Sequence, residues 1–268
     1  MKIKHFEVDQ LIGEGSFGKV YKCTDVRNGN TVSMKIDTSK LKVLRNEVNI
    51  LNYLYRNDVY TVPKIFWYGN VRDNLILIMT YYKNNLQDYF EVKGVISATK
   101  LSFVMIKCLD ILRQLANLQV VHRDIKPQNF MMNDGKINLI DFGLSTIYNK
   151  CDASYNNNTD IVGTPRFTSY YSHCGEPASP RDDIISLGYM YLYLNTGSLN
   201  WDEIARNATI LPMCDINHPD NLIRRQLKSP DVLLRTLTDP IQNYMRYCYS
   251  LNCDDTPDYH SLMLLFIS

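Results

Sequence analysis

The chain has 268 residues, enough for one large domain or two lobes around an ample core. Its 29 basic and 28 acidic side chains leave a net charge of +1, so no global field favours nucleic acid or a membrane surface. MKIKHFEVDQ at the N-terminus holds no apolar run that would serve as a signal peptide, and no window approaches the roughly 20 apolar residues that span a bilayer. Seven cysteines without a C-x-x-C spacing suit a reducing compartment better than a disulfide framework. The closest pair, Cys248 and Cys253, has no companion cluster of His or Cys that would make a metal site. A soluble, monomeric, cytoplasmic protein is expected, with no direct contact to nucleic acid or membrane.

Taken in chain order, the first part reads mainly as strands. Phe6 to Ile12, Val20 to Cys23 and Thr31 to Ile36 alternate or run apolar, broken by Gly15, Gly18 and an Asn28-Gly29 turn. An apolar-periodic helix from Leu44 to Leu54 interrupts them, and Ile65 to Tyr68 and Leu75 to Thr80 supply two more strands. The pattern then turns helical. Leu101, Val104, Met105, Cys108, Leu112 and Leu115 recur at three and four, the mark of one buried face. Asp183 to Leu194 is too apolar all round for a surface helix and belongs in a core. Leu233 to Leu251 and Tyr259 to Phe266 complete a helical C-terminal part, and Asn156-Asn157-Asn158 marks a polar loop. The expected organisation is α+β, with a small β-rich lobe over 1–82 and a larger helical lobe over 83–268, the change falling near Tyr82 to Leu86.

Three strings carry the chemistry: GEGSFGKV at 13–20, HRDIKPQN at 122–129 and IDFG at 140–143. A glycine-rich loop alone is a weak signal. HRDxKxxN followed by DFG twelve residues on is a strong one, and the set matches the signature of protein kinases. Phosphoryl transfer asks a protein for positioning and charge neutralisation. Gly13, Gly15 and Gly18 let backbone approach a triphosphate where a Cβ would collide. Ile12 and Val20 flank the loop against the adenine, Phe17 at its tip shields the phosphates, and Glu14, Ser16 and Lys19 complete it. Lys35, in VSMK, is placed to hold the α- and β-phosphates of ATP, with Glu47 on the following helix to orient it. Asp124 would accept the proton of the substrate hydroxyl, and Lys126 would reach the γ-phosphate. Asn129 and Asp141 offer the oxygen ligands that Mg²⁺ prefers. His122 reads as a packed imidazole that holds the loop, and Arg123 as a tether for an anion.

From Gly163 onward the resemblance narrows. GTPRFTSYYSHCGEPASPRDDIISLGYMYLYLNTGSLNW at 163–201 and SLNCDDTPDYHSLMLLF at 250–266 resemble the casein kinase 1 family, and the likeness extends from about Phe6 to Phe266. It implies a two-lobed serine/threonine kinase acting on protein substrates in acidic context. By the same resemblance Met79 is the gatekeeper, Thr80 to Tyr82 the hinge, Asp88 a ribose contact and Met131 the floor of the adenine site, while Asp183 anchors the catalytic loop. Arg166 is the survivor of the family's basic cluster for phosphorylated substrates.

The departures are specific. The family's SIN triplet is Ser169-Tyr170-Tyr171 here, its LPW is Leu199-Asn200-Trp201, and its lysine-rich segment has become DEIARNATILPM at 202–213. Arg206 and Arg123 can add to Arg166, but Asp202 and Glu203 intrude, so an acidic preference is expected to be retained and blunted. An autoinhibitory tail of the family's kind is expected to be absent. Two other readings compete. A pseudokinase would ordinarily lack one of Lys35, Glu47, Asp124, Asn129 or Asp141, and all are present; a small-molecule kinase would lack the DFG turn and the GTPRF-to-RDD segment. The vaccinia-related kinases, the nearest family neighbours, usually have glycine where this chain has Asp182.

Overall fold

A computed structural model describes residues 2–15, 18–37, 43–72, 74–133, 135–149, 160–204 and 215–267. Two compact units result, one comprising 1–84 with 131–145, the other 85–130 with 146–268. Met131–Ser145 groups with the first unit.

In the first unit, strands β1 (Lys2–Ile3), β2 (Phe6–Gly15), β3 (Gly18–Asp25), β4 (Thr31–Ile36), β5 (Ile65–Val71) and β6 (Asn74–Thr80) form a sheet of order β1-β2-β3-β4-β6-β5, antiparallel throughout. Helix α1 (Val43–Arg56) interrupts it. The period-two alternation of β4 decides its faces. Val32 and Met34 join Phe6, Cys23, Ile76 and Ile78 in one core layer. Ser33 and Lys35 therefore point to the opposite face. Direct pairing of Lys35 with Val20 and Leu77, and of Ser33 with Met79, puts all of these on one side of the sheet. Along α1, Leu44, Val48, Leu51 and Leu54 are buried at helical spacing, and Glu47 lies buried among them.

The strand β7 (Asn84–Asn85) leads into helix α2 (Leu86–Lys93), closed by a capping box between Asn85 and Asp88. In the second unit α3 (Ala98–Asn117) buries the face that the sequence pattern marks, and β8 (Val120–Val121) follows it. Strands β9 (Phe130–Asn133) and β10 (Lys136–Leu139) are hydrogen-bonded neighbours, and β11 (Thr146–Ile147) pairs antiparallel with β8. Helix α4 (Tyr170–His173) precedes α5 (Pro180–Thr196), which is buried over almost its whole circumference. A Cβ on Gly188 would meet the Met245 sulfur at 2.2 Å, so α5 has room for no side chain there. The chain ends in α6 (Pro219–Leu227), α7 (Pro230–Leu233), α8 (Ile241–Ser250) and α9 (Tyr259–Leu264). Leu233 to Leu251 is not one helix: a 3₁₀ turn over Leu234–Thr236 and the break at Pro240, which has no N–H to continue a ladder, divide it. The Asn28-Gly29 turn is present, with both amides donating to the Asp25 carbonyl, whereas Asn156 to Asn158 lie outside the described residues.

The glycines of the 13–18 loop are not equivalent. Gly18 has φ +138°, and a Cβ there would come within 2.0 Å of the Ile36 carbonyl oxygen, which β4 fixes. At Gly15 nothing lies within 4 Å, and at Gly13 a Cβ would make an ordinary 3.8 Å contact with Val20. Gly18→Ala should therefore cost about 1–3 kcal/mol of stability, with the melting temperature falling by roughly 2–4 °C per kcal/mol. Gly15→Ala should leave it unchanged. Thermal denaturation of the two variants checks the contrast, and equal shifts would refute it.

Candidate active site

The first unit places one ammonium between two carboxylates. Lys35 Nζ donates to Glu47 Oε2 at 2.7 Å and to Asp141 Oδ1 at 2.8 Å. Glu47 is fully buried, whereas the Asp141 side chain keeps 32 % of its surface in solvent. Burial works against the charge on Lys35, but the two carboxylates more than offset it and its pKa ends above the ordinary value. Burial pushes the Glu47 carboxyl up. Asp141 is the partly exposed member of the cluster, and Lys35 and Glu47 are its buried pair. Breaking such a buried pair by removing one partner costs about 3–5 kcal/mol.

Asp141 sits in the left-handed region, φ 67°, at the start of the 3₁₀ turn Phe142–Leu144. Helix α1 holds that turn directly. Asn46 Nδ2 donates to the carbonyls of Gly143 at 3.0 Å and Ser145 at 2.8 Å, and the Phe142 amide donates to Glu47. A Cβ on Gly143 would strike Val43 at 2.5 Å, so glycine is what lets helix and turn approach this closely. Of the other residues singled out in this unit, Val20, Met79 and Lys35 share a sheet face, and Met79 and Met131 are buried. Ile12 is exposed, Gly13 pairs with Val20, and Glu14 forms an exposed 3.0 Å ion pair with Lys19. Burial pushes the Tyr82 phenol up to about 12. Ser16 and Phe17 lie outside the described residues.

The second unit assembles the other cluster around Asp124. Its Oδ1 accepts from the amide of Thr164 at 3.0 Å and from the Thr164 hydroxyl at 2.7 Å. Lys126 Nζ lies 2.6 Å from Asp124 Oδ2 and donates to Thr164 Oγ1 at 3.0 Å. Asn129 Nδ2 donates to the Asp124 carbonyl at 2.8 Å and to its Oδ2 at 3.2 Å, leaving the amide oxygen as the atom able to ligate a hard cation. Behind the loop, the first turn of α5 supplies the buried Asp183, whose two oxygens accept from the amides of His122 at 2.7 Å and Arg123 at 2.9 Å. The His122 ring is itself buried, and its Nδ1 accepts from the Asp124 amide at 3.3 Å, the work of a packed, loop-holding imidazole. Arg123 has φ 67°. Gly163 passes so close to it that a Cβ would meet the Arg123 carbonyl at 2.2 Å, which explains the glycine of GTPRF.

Two residues of this unit are already committed to partners. Asp88 closes the capping box of α2, its Oδ2 accepting from the Asn85 amide at 2.9 Å. Arg166 is bidentate to Asp202, through Nε at 2.7 Å to Oδ1 and through Nη2 to Oδ2, and stacks over the Tyr193 ring at 4.3 Å. Arg206 and the rest of 205–214 lie outside the described residues. Sequence reasoning gave no role to Asn46 or Thr164. Both stand next to or within quoted motifs, but their bonds run to residues 97 and 40 positions away. No local pattern signals such a contact. Among the described residues no group of three His, Cys, Asp or Glu side chains is placed to hold a metal, and no helix is long and apolar enough to cross a membrane.

A buried lysine paired with a helical carboxylate, a carboxylate-bearing turn, and a loop carboxylate in contact with a lysine, a threonine and an asparagine are the parts of a phosphotransferase. The chain matches the protein kinase domain family over residues 6–261 and belongs to that family. It is a kinase enzyme of two-lobed fold, and its class acts on ATP and protein substrates.

Asp183 yields a prediction that pH can test. Burial pushes its carboxyl up to about 7, against the two amide donors, which act the other way. A carboxyl raised on folding favours the folded state most below its unfolded value of about 3.9, and that contribution is lost as pH rises through about 7. Asp183→Asn should destabilise the protein, and its deficit relative to wild type should shrink between pH 5 and pH 8. Urea midpoints of both proteins at the two pH values check this; a deficit that grows with pH would reverse the assignment.

Proposed function

We propose that this protein transfers the γ-phosphate of ATP, with Mg²⁺, to serine or threonine of protein substrates in the manner of the casein kinase 1 family. The observation that carries the reading is the Asp124 cluster: a loop carboxylate oriented by Thr164 and Lys126, of the kind needed to take the proton of an incoming hydroxyl. Lys126 lies where it can neutralise the transferring phosphate. The residues fit the nucleotide. Among the described residues no atom lies within 4 Å of where a Cβ would sit at Gly15, and only an ordinary contact limits Gly13, which supports close approach of a nucleotide there. Lys35, fixed by Glu47, would bind the α- and β-phosphates, with Val20 and Met79 on the same sheet face toward the base.

Asn129 and Asp141 would hold Mg²⁺, which supplies neutralisation of the phosphate charge when bound. A partly exposed carboxylate oxygen and an amide oxygen are the donor chemistry a hard dication prefers. The casein kinase 1 likeness is supported by the way its marker blocks touch within the second unit. The Ser169 hydroxyl donates to Asp182, and Trp201 Nε1 donates to the Arg166 carbonyl at 2.8 Å.

Asp124→Asn should lower transfer to a peptide by roughly a hundred-fold or more while leaving ATP binding intact. Single-turnover phosphorylation with Mg-ATP measures it. ATP binding without any transfer by the wild-type chain would favour the pseudokinase reading instead.

Specificity follows from Arg166. Its charge is engaged by Asp202 and by the Tyr193 ring, so an acidic or phosphorylated substrate has to compete with an internal carboxylate. An exposed charge pair is worth only about 0–1 kcal/mol. The acidic preference is therefore retained but blunted, and a phosphoserine three residues upstream of the target brings little. Asp202→Asn should raise the ratio of kcat/KM for a primed over an unprimed peptide several-fold. A wild-type ratio above about a hundred-fold, some 2.7 kcal/mol of differential transition-state binding, would mean that another basic residue rebuilds the pocket.

A further inference from the structure

Lys228 follows helix α6 and has no exposed surface. Its Nζ donates to the carbonyl of Pro165 at 2.8 Å and to that of Thr168 at 2.6 Å, and lies 3.2 Å from Nε2 of His173. An ammonium has three donors and no acceptor, and the two carbonyls take two of them. The rings of Tyr189 and Trp201 each lie 5.0 Å from Nζ, near enough for cation–π attraction. No ion pair among the described residues includes Lys228. Burial and the neighbouring Arg224 pull its pKa well below the ordinary lysine value, and the Asp202 charge opposes that pull. Burial and the Lys228 charge push His173 down to about 2, so its ring is neutral; its Nε2 lies 3.2 Å from the Pro165 carbonyl as well as 3.2 Å from Lys228 Nζ.

Hiding an ammonium without a counter-ion is costly, and a leucine or methionine would fill the same space more cheaply. The cost has a structural return, because both carbonyl acceptors and the neighbouring His173 ring lie on one stretch of chain, Pro165 to His173. That stretch is stiff at its start: the amides of Phe167 and Thr168 and the Thr168 hydroxyl all donate to the Thr164 carbonyl, at 2.9, 3.0 and 2.9 Å. Thr164 in turn gives its amide and hydroxyl to Asp124. A continuous set of bonds thus runs from Lys228 through the 164–168 turn to the loop carboxylate. The Tyr249 hydroxyl donates to the Lys228 carbonyl at 2.7 Å and pins the lysine from behind.

We propose that Lys228 is a positioning residue for the protein acceptor: it clasps the 165–173 segment and through Thr164 fixes Asp124 against the incoming hydroxyl, without acting on the nucleotide. This rests on the phosphotransfer reading of Asp124. It is not a catalytic residue, since it is sealed from substrate.

The test compares wild type with Lys228→Met, which keeps the stem and removes the donors, and Lys228→Arg, whose longer, planar fork does not present its donors from one point. Steady-state kinetics with Mg-ATP and a peptide should show kcat/KM for the peptide lowered roughly 10–100-fold in the methionine variant, the scale of a misplaced catalytic group. The KM for ATP should stay within about two-fold. Lys228→Arg should raise the peptide KM several-fold at unchanged ATP KM, and this arm decides the matter if the methionine variant fails to melt cooperatively. Amide hydrogen exchange provides the readout independent of activity. Phe167, Thr168 and His173 should exchange faster in both variants, while amides of α5 keep their protection. Unchanged exchange in 165–173, or ATP and peptide constants that decline together, would overturn the clasp. Absence of transfer by the wild-type protein, with the exchange difference intact, would instead count against the phosphotransfer reading.

Discussion

Charge hidden from water, and answered by the segments that do the chemistry, is the constraint on which both units depend. Asp183 shows it most directly. It is a carboxyl in the buried first turn of α5, and the amides of His122 and Arg123 both donate to it. A buried acceptor left without donors costs about 1–3 kcal/mol, and more when charged. The loop is therefore bound to the helix by the helix's own need for donors. Arg123 accepts a left-handed backbone to deliver its amide, and Gly163 must lack a side chain so that the chain can cross its carbonyl. Position in the loop follows from packing in the core.

The first unit solves a related problem with a different balance. Lys35 and Glu47 are both withdrawn from solvent, and each is the reason the other is tolerated there. Asp141 adds a second carboxylate, and it is the one member of the three left open to water. The turn that carries it is attached to α1 by Asn46 and by the Phe142 amide on Glu47. Helix and turn therefore move as one body: shifting α1 would break the ion pair and release two carbonyls together. In such an arrangement the negative charge is placed before any ligand arrives, and no reorganisation is required at the moment of binding.

In the second unit the segment after Gly163 is tied down at several points, and each tie consumes a charge or a polar group that the sequence leaves open. Arg166 is paired with Asp202, Asp182 is bonded by Ser169 and the Ser179 amide, and Lys228 donates to two carbonyls.

Much of this was legible in one dimension because periodicity and motif spacing are local. Alternation put Lys35 on the face opposite Val32 and Met34, helical spacing put Glu47 inside the apolar stripe of α1, and the apolar continuity of residues 183–194 marked a core helix. The glycines at 18 and 163 were visible as glycines, but their reasons were not: each yields to a carbonyl of a chain segment distant in sequence. Pro240 was visible too, and its break in the C-terminal helix was underestimated because flanking apolar periodicity outweighed one residue. The sequence by itself determined the family, the element types and the inventory of reacting groups, since these depend on residue identity over short windows. Only the tertiary structure decided that Asn46 holds the turn after Asp141, that Thr164 holds Asp124, that Asp202 occupies Arg166 and that Lys228 is sealed against the 165–173 segment. Hydrogen bonds and ion pairs are made by whatever atoms the folded core brings within about 3 Å, and no spacing along the chain encodes that meeting.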